Sequence, residues 1–272
     1  LLTLRLENGG QFAINSCVWW AKSQLKSRNQ KWRLGGIEKL AKLEDEKAIP
    51  SLLAALNDKE FSIRAIAAKA LGKFKEDSIN EALMAALSDP HPEVRIAAAV
   101  SLRTNASEKA IPALQAALED PHEGVRAYVA KTLDALKWSP QTDAEHVLRA
   151  VALGKLDEAA GYKTLAVEPL LNVLRTGIYY KRLEALEALS RIADSRIVTP
   201  LIAALKDGDD SVRARVVEVL GRLGDARAVE PLIARLRDES SQVRAMTVEG
   251  LGRLADSRAL KPLILSLMDK SV

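Results

Sequence analysis

Three histidines are the side chains best suited to chemistry in this chain: His91, His122 and His146. His91 and His122 stand in two near-copies of one phrase, DPHPEVRIAAAVSL from Asp89 and DPHEGVRAYVAKTL from Asp120. Two ligands of one metal ion must both lie about 2 Å from it. Equivalent turn residues of neighbouring helical hairpins lie roughly 10 Å apart, so these two do not share an ion. His146 belongs to a different stretch, and all three read as exposed turn residues. Cys17, the sole cysteine, has no histidine near it in sequence and reads as a core residue. A single cysteine excludes an internal disulfide and fits a reducing compartment. The glycines of LGRLGD and LGRLAD sit at helix ends as caps, not in a phosphate loop. No catalytic, cofactor-binding or metal-binding residue is assigned, and the expectation is a protein without enzyme activity or cofactor.

The copied phrase points to an internal period. Arg33, Arg64, Arg95 and Arg126 follow one another at 31 residues, and so do Arg182, Arg213 and Arg244. Pro169, Pro200, Pro231 and Pro262 keep the same step, as do Asp58, Asp89 and Asp120, then Asp207, Asp238 and Asp269. The gap of 56 between Arg126 and Arg182 breaks the phase, so a shortened unit lies between the two series. Each unit reads as two helices. VEPLIARLRD carries an apolar stripe with Pro near its first turn, where a missing N–H costs little. A polar link rich in N-cap residues leads to the second helix, VRAMTVEGLGRLAD. Small residues recur one, three and four positions after each Arg, which lets helices approach closely. One hairpin cannot bury both its faces, whereas a stack of hairpins can.

An Asp precedes the Arg by six positions in five units: Asp58/Arg64, Asp89/Arg95, Asp120/Arg126, Asp207/Arg213 and Asp238/Arg244. A guanidinium fork satisfies a carboxylate and nearby carbonyls together. The series is therefore expected to form a structural ladder across the inter-helix turns, in preference to a phosphate track.

Phrases such as DARAVEPLIARLRDESSQVR and SRIVTPLIAALKDGDDSVR resemble the HEAT-repeat family, in its short bacterial, phycobilisome-lyase-like form. The resemblance covers roughly residues 30–272. It implies an all-α fold, a right-handed α-solenoid of about eight stacked two-helix repeats, one of them irregular. The expected divisions are a basic, Trp-bearing segment with the first helix (1–30), regular repeats (31–137), an irregular shortened repeat (138–166) and regular repeats ending mid-unit (167–272). A bend or a break in the groove is expected at the irregular repeat. Thr176 stands where an Asp is due before Arg182, and Glu81 stands where the pattern has Pro50 and Pro112. Deoxyhypusine hydroxylase, a HEAT-like enzyme family, places His-Glu pairs just after the Val-Arg of its second helices. Here those positions read Ile-Ala-Ala and Ala-Tyr-Val, so its di-iron site is not expected.

The chain is 48% apolar but only 4% aromatic, and its charges nearly cancel at +4. That composition favours helices over sheets. No apolar run of about 18 residues exists, and LLTLRLENGG lacks the layout of a secretory signal, so a cytoplasmic location is expected. Residues 1–40 carry seven Lys/Arg against two Glu, while the rest carry 33 against 34. The array body is too nearly neutral to bind nucleic acid. The exception is a patch of Trp19, Trp20, Lys22, Lys26 and Arg28, which offers RNA or anionic-lipid binding through residues 19–33 as an alternative function. In HEAT-like arrays the second helices line the concave wall. In the second half its positions pair as Glu187/Arg191, Glu218/Arg222 and Glu249/Arg253, a favoured order at i, i+4. In the first half they read Ile66, Lys69, Lys73, Ala97, Val100, Tyr128 and Lys131, an apolar strip with a basic edge. A protein-binding scaffold using that strip is the leading reading. By resemblance alone, a bilin lyase or isomerase subunit acting on phycobiliproteins is another. Leu rather than Met at position 1 leads us to expect residues before it. The next ladder arginine would fall three positions beyond Val272, so the terminal units are expected to continue into further sequence or another chain.

Overall fold

The computed structural model describes residues 10–105, 108–192 and 194–268, with side chains between Val18 and Ser266. The side chain of Cys17, all of Asp269, and the segments before Gly10 and after Met268 lie outside the described residues. Every regular element among the described residues is helical, and none is a strand. The chain divides into two compact units, one ending at Ser139 and one beginning at Pro140.

The first unit is four helical hairpins: α1 (Gly10–Leu25) with α2 (Gln30–Leu43), α3 (Ile49–Ala55) with α4 (Phe61–Leu71), α5 (Asp77–Ala86) with α6 (Pro92–Asn105), and α7 (Ile111–Ala116) with α8 (Glu123–Ala135). The second helices α2, α4, α6 and α8 form a row in which each touches the next. The second unit opens irregularly with α9 (Asp143–Ala152) and the five-residue α10 (Leu156–Ala160). Regular hairpins follow: α11 (Val167–Thr176) with α12 (Tyr179–Ile192), α13 (Val198–Ala204) with α14 (Asp210–Leu223), and α15 (Val229–Arg235) with α16 (Ser241–Leu254). A further first helix, α17 (Leu260–Met268), closes the described chain. Here α10, α12, α14 and α16 make the row.

Local sequence sets these boundaries. Four first helices, α3, α13, α15 and α17, are entered through a short 3-10 turn headed by an aspartate. Asp45, Asp194, Asp225 and Asp256 each accept the N–H two residues on at 2.8–2.9 Å. Pro50 and Pro112 then sit in the first turns of α3 and α7, where no intrahelical donor is lost. In α5 the corresponding residue is Glu81. Its N–H lets the helix begin earlier, at Asp77, with no 3-10 turn before it.

Three second helices show which positions are buried, those three, four and seven after the arginine: Ala67, Ala68 and Leu71 in α4, Ala98, Ala99 and Leu102 in α6, Val216, Val217 and Leu220 in α14. A further position, six after the arginine, sets how closely repeats stack. Ser101 donates to the carbonyl of Ala68 at 2.9 Å, and Thr132 donates to that of Ala99 at 2.8 Å. Gly250 occupies the same position in α16, against Gly221 of α14. A Cβ added to Gly221 would stand 2.8 Å from the Gly250 Cα. Gly252 is the equivalent of Gly221 one repeat later, and its added Cβ would meet nothing within 4 Å.

Equivalent substitutions should therefore act with opposite signs. Alanine is the better helix former by about 1 kcal/mol, so Gly252→Ala is expected to raise stability by up to that amount. Gly221→Ala meets backbone that cannot yield without shifting a helix, at a cost of about 1–3 kcal/mol. Thermal melts of the two variants should move Tm up for Gly252→Ala and down for Gly221→Ala.

Candidate functional site

The arginines that begin the second helices tie each repeat to the next. Arg33, Arg64, Arg95 and Arg213 present Nε and Nη2 to the carboxylates of Asp58, Asp89, Asp120 and Asp238 at 2.6–3.1 Å. Arg182 reaches Asp207 at 2.9 Å. Each acid lies 25 residues further along the chain, in the following hairpin. The expected pairing of Asp58 with Arg64, Asp89 with Arg95, Asp120 with Arg126, Asp207 with Arg213 and Asp238 with Arg244 is thereby corrected. In those pairs the aspartate gives the arginine its backbone carbonyl, at 2.7–2.9 Å, through Nη1. The physical reason lies in the turn. Each of these carboxylates folds over its own link to accept the N–H two residues on, that of Glu60, His91, His122, Asp209 or Ser240. Its remaining lone pairs are met by the preceding repeat's fork. Where Thr176 replaces the aspartate, the Gly177 carbonyl takes Arg182 at 2.9 Å. Burial works to raise the carboxyls of Asp89 and Asp238. The arginine fork and the backbone N–H outweigh it and hold both below the ordinary carboxylate range.

A second lacing runs along the other ends of the helices and was not anticipated. Arg196, Arg227 and Arg258 each clasp the aspartate two residues back, Asp194, Asp225 or Asp256. The same guanidinium donates across to a carbonyl of the preceding repeat, Thr164 at 3.2 Å, Ser195 at 3.0 Å or Ala226 at 3.2 Å. The arginine bond, with help from the backbone N–H, brings Asp225 and Asp256 down to about 2. The signal was present as Asp-Ser-Arg, Asp-Ala-Arg and Asp-Ser-Arg at the same 31-residue step.

The first-unit strip is part wall and part packing. Lys69 and Lys131 are exposed, and Tyr128 is 40% exposed with the Lys131 amine 5.5 Å from its ring centre. Ile66, Ala97 and Val100 are half-buried. Lys73 is committed to Glu44 at 2.5 Å and to the Ala41 carbonyl at 3.2 Å. In the second unit Glu187/Arg191 and Glu249/Arg253 pair as expected, at 3.2 and 2.5 Å. Glu218 pairs instead with Arg215, which also bridges to Glu187 on the preceding second helix. Arg215 sits between two carboxylates, so it wins Glu218 from Arg222. The patch at α1 shows Trp19 and Trp20 exposed, Lys22 half-buried, and Lys26 and Arg28 exposed.

The sequence profile of HEAT repeats matches residues 20–82, 80–155, 167–242 and 198–271. The chain belongs to the HEAT-repeat family. No curated protein sequence matches it significantly. Among solved structures it is similar to human deoxyhypusine hydroxylase in complex with glycerol, at 20% identity over 91% of this chain and 99% of that one, with a TM-score of 0.41. It is also similar to the CpcE–CpcF complex of phycocyanin lyase from Nostoc sp. PCC7120, at 21% identity over 98% of each chain and a TM-score of 0.36. Importin beta shares 17% identity over 94% of this chain and 38% of that one, with a TM-score of 0.38.

Among the described residues of this HEAT array, no group of three or more His, Cys, Asp or Glu side chains is placed to hold a metal ion. His91 and His122 are exposed in their turns, and the His91 ring stacks on Phe61 at 4.5 Å. His146 stacks on Tyr162 at 5.9 Å. No described helix is long and apolar enough to cross a membrane.

One rung of the HEAT ladder is open. The residue 25 positions after Arg126 is Val151, which has no carboxylate. Arg126 is only 3% exposed and keeps the carbonyls of Asp120 and Pro121, but its buried Nε has no partner. Desolvation lowers its pKa. Removing one partner of a buried pair typically costs about 3–5 kcal/mol, because a charge is left uncompensated. Arg95→Met strands the Asp120 carboxylate and should cost that much. Arg126→Met removes a guanidinium that no ladder acid matches and should cost under about 1 kcal/mol. Denaturant titrations of both variants check the contrast.

Proposed function

We propose that this HEAT-repeat protein is a non-catalytic scaffold that grips a partner protein along the second-helix wall of its first unit. The observation that carries the reading is the contrast between the walls. In the second unit the equivalent positions are occupied by Glu187, Arg191, Arg215 and Glu218, whose charges neutralise one another in pairs. In the first unit they are Ile66, Ala97, Val100 and Tyr128 with Lys69 and Lys131 at the edge, which leaves apolar area and positive charge for another surface to meet. Interface cores are enriched in aromatic residues and poor in acids. The fitting partner is an apolar segment flanked by carboxylates. The irregular stretch 138–166 is read as the interruption between two regular arrays, each with its own wall.

The test begins with affinity capture of the partner and continues with dissociation constants for Tyr128→Glu and Val100→Glu. Each substitution is expected to weaken binding at least tenfold, with Tyr128→Glu leaving Tm unchanged. Equal affinity for wild type and Tyr128→Glu would remove the wall from the account. A shift in the visible spectrum of added phycocyanobilin would put the bilin-lyase reading in place of the scaffold.

A further inference from the structure

The first hairpin departs from the pattern of the other regular hairpins. One position before the ladder arginine, five later repeats carry Ile63, Val94, Val125, Val212 and Val243, all fully buried, and the α11–α12 hairpin carries the half-buried Lys181. Six positions after the arginine they carry Ala70, Ser101, Thr132, Ala188, Val219 and Gly250, all buried. At Ser101, Thr132 and Gly250 this position rests on the second helix of the preceding repeat. In α2 the same two positions are Trp32, 57% exposed, and Lys39, also exposed. They lie seven residues apart, on one stripe of the helix. Beside that stripe the Lys39 amine sits 3.3 Å from the ring centre of Trp20 on α1. The charged and aromatic pair gives this face a character that the buried stacking positions of the later repeats lack.

Its chemistry is aromatic and cationic. Trp19 is 71% exposed on α1, near Lys22 and Lys26 on successive turns. Arg28 and Lys31 flank the turn into α2, and Lys42 ends that helix. Arg33 is spent on Asp58, so between Val18 and Leu43 six cations outside the ladder face a single acid, Glu38. Tryptophan and lysine together suit the headgroup layer of a bilayer, where an indole sits at the boundary and an amine meets lipid phosphate. The first hairpin presents this face through α1 and α2. It offers projecting rings rather than a groove that tracks a strand, and one face of Trp20 is already covered by Lys39. A flat, negatively charged surface matches it better than a nucleic acid does.

We propose that the α1–α2 end of the array docks on anionic lipid bilayers, with Trp19 and Trp32 entering the headgroup layer and Lys22, Lys26, Arg28 and Lys31 meeting lipid charge. The test is co-sedimentation of the full chain with vesicles of phosphatidylcholine alone or with one-third phosphatidylserine, at low and high salt. Binding is expected only to the phosphatidylserine vesicles, with a blue shift of tryptophan emission and loss at high salt. Lys26→Glu/Arg28→Glu should lower partitioning at least tenfold, and Trp19→Ala/Trp32→Ala should abolish the blue shift, with circular-dichroism melts unchanged for both. Three outcomes would overturn the proposal: no binding to phosphatidylserine vesicles, binding that neither double variant alters, or binding to a single-stranded oligoribonucleotide in place of vesicles. Because it uses α1 and α2 alone, its failure leaves the wall of α4, α6 and α8 untouched, and Tyr128→Glu should not alter vesicle binding.

Discussion

One guanidinium does two jobs in the rungs of Arg33, Arg64, Arg95 and Arg213. Its Nη1 closes the turn of its own hairpin by donating to the carbonyls there, and its Nε–Nη2 edge holds the carboxylate of the next hairpin. That carboxylate is itself fixed by the backbone N–H of its own turn. Turn geometry and repeat-to-repeat spacing are therefore set by the same hydrogen-bond network. A charged pair this enclosed is costly to build and more costly to break on one side, so its worth lies in specifying register. A hairpin that slipped by one turn would bury an arginine without its acid.

The rest of the architecture follows from that spacing. With the repeats held by the ladder at one end of the second helices, and in the second unit by the Asp-x-Arg clasps at the other, the helices approach until side chains must be small. Hence Ser101 against Ala68, Thr132 against Ala99 and Gly250 against Gly221. Alanine, serine and glycine at those positions fill little volume, and the large residues needed for a core come from the leucines seven after each arginine. What remains facing outward is a row of helix surfaces whose residues carry no folding duty. Binding is read from those surfaces.

Much of the fold was legible in the sequence because a 31-residue period constrains everything at once. The helices, their prolines and the shortened stretch before Val167 all follow from it. The partners of the ladder did not, for a reason built into periodicity. An acid six before an arginine and an acid 25 after one are the same statement in a 31-residue repeat. Only the ends of each series separate them. Arg33 and Arg182 have no acid six positions back, where Ser27 and Thr176 stand, yet each has an aspartate 25 ahead. Arg126 has Asp120 behind it and Val151 ahead, and it is the rung left open. The wall was less legible. Outward-facing positions can be numbered from the helix period, but whether Val100 is covered by its neighbour depends on how closely the helices approach. The stacking position itself, six after the arginine, is small in α6, α8 and α16 for a reason that only contact distances show.

The direct test of the account is a pair of double-mutant cycles on unfolding free energy, Arg64→Met with Asp89→Ala and Arg64→Met with Asp58→Ala. The structure predicts a coupling of about 1.5–3 kcal/mol between Arg64 and Asp89, across repeats, and about 0.5 kcal/mol or less between Arg64 and the Asp58 carboxylate, within the hairpin. The reverse order, or no coupling in the first cycle, would contradict a stack held in register by forks reaching forward to the next repeat.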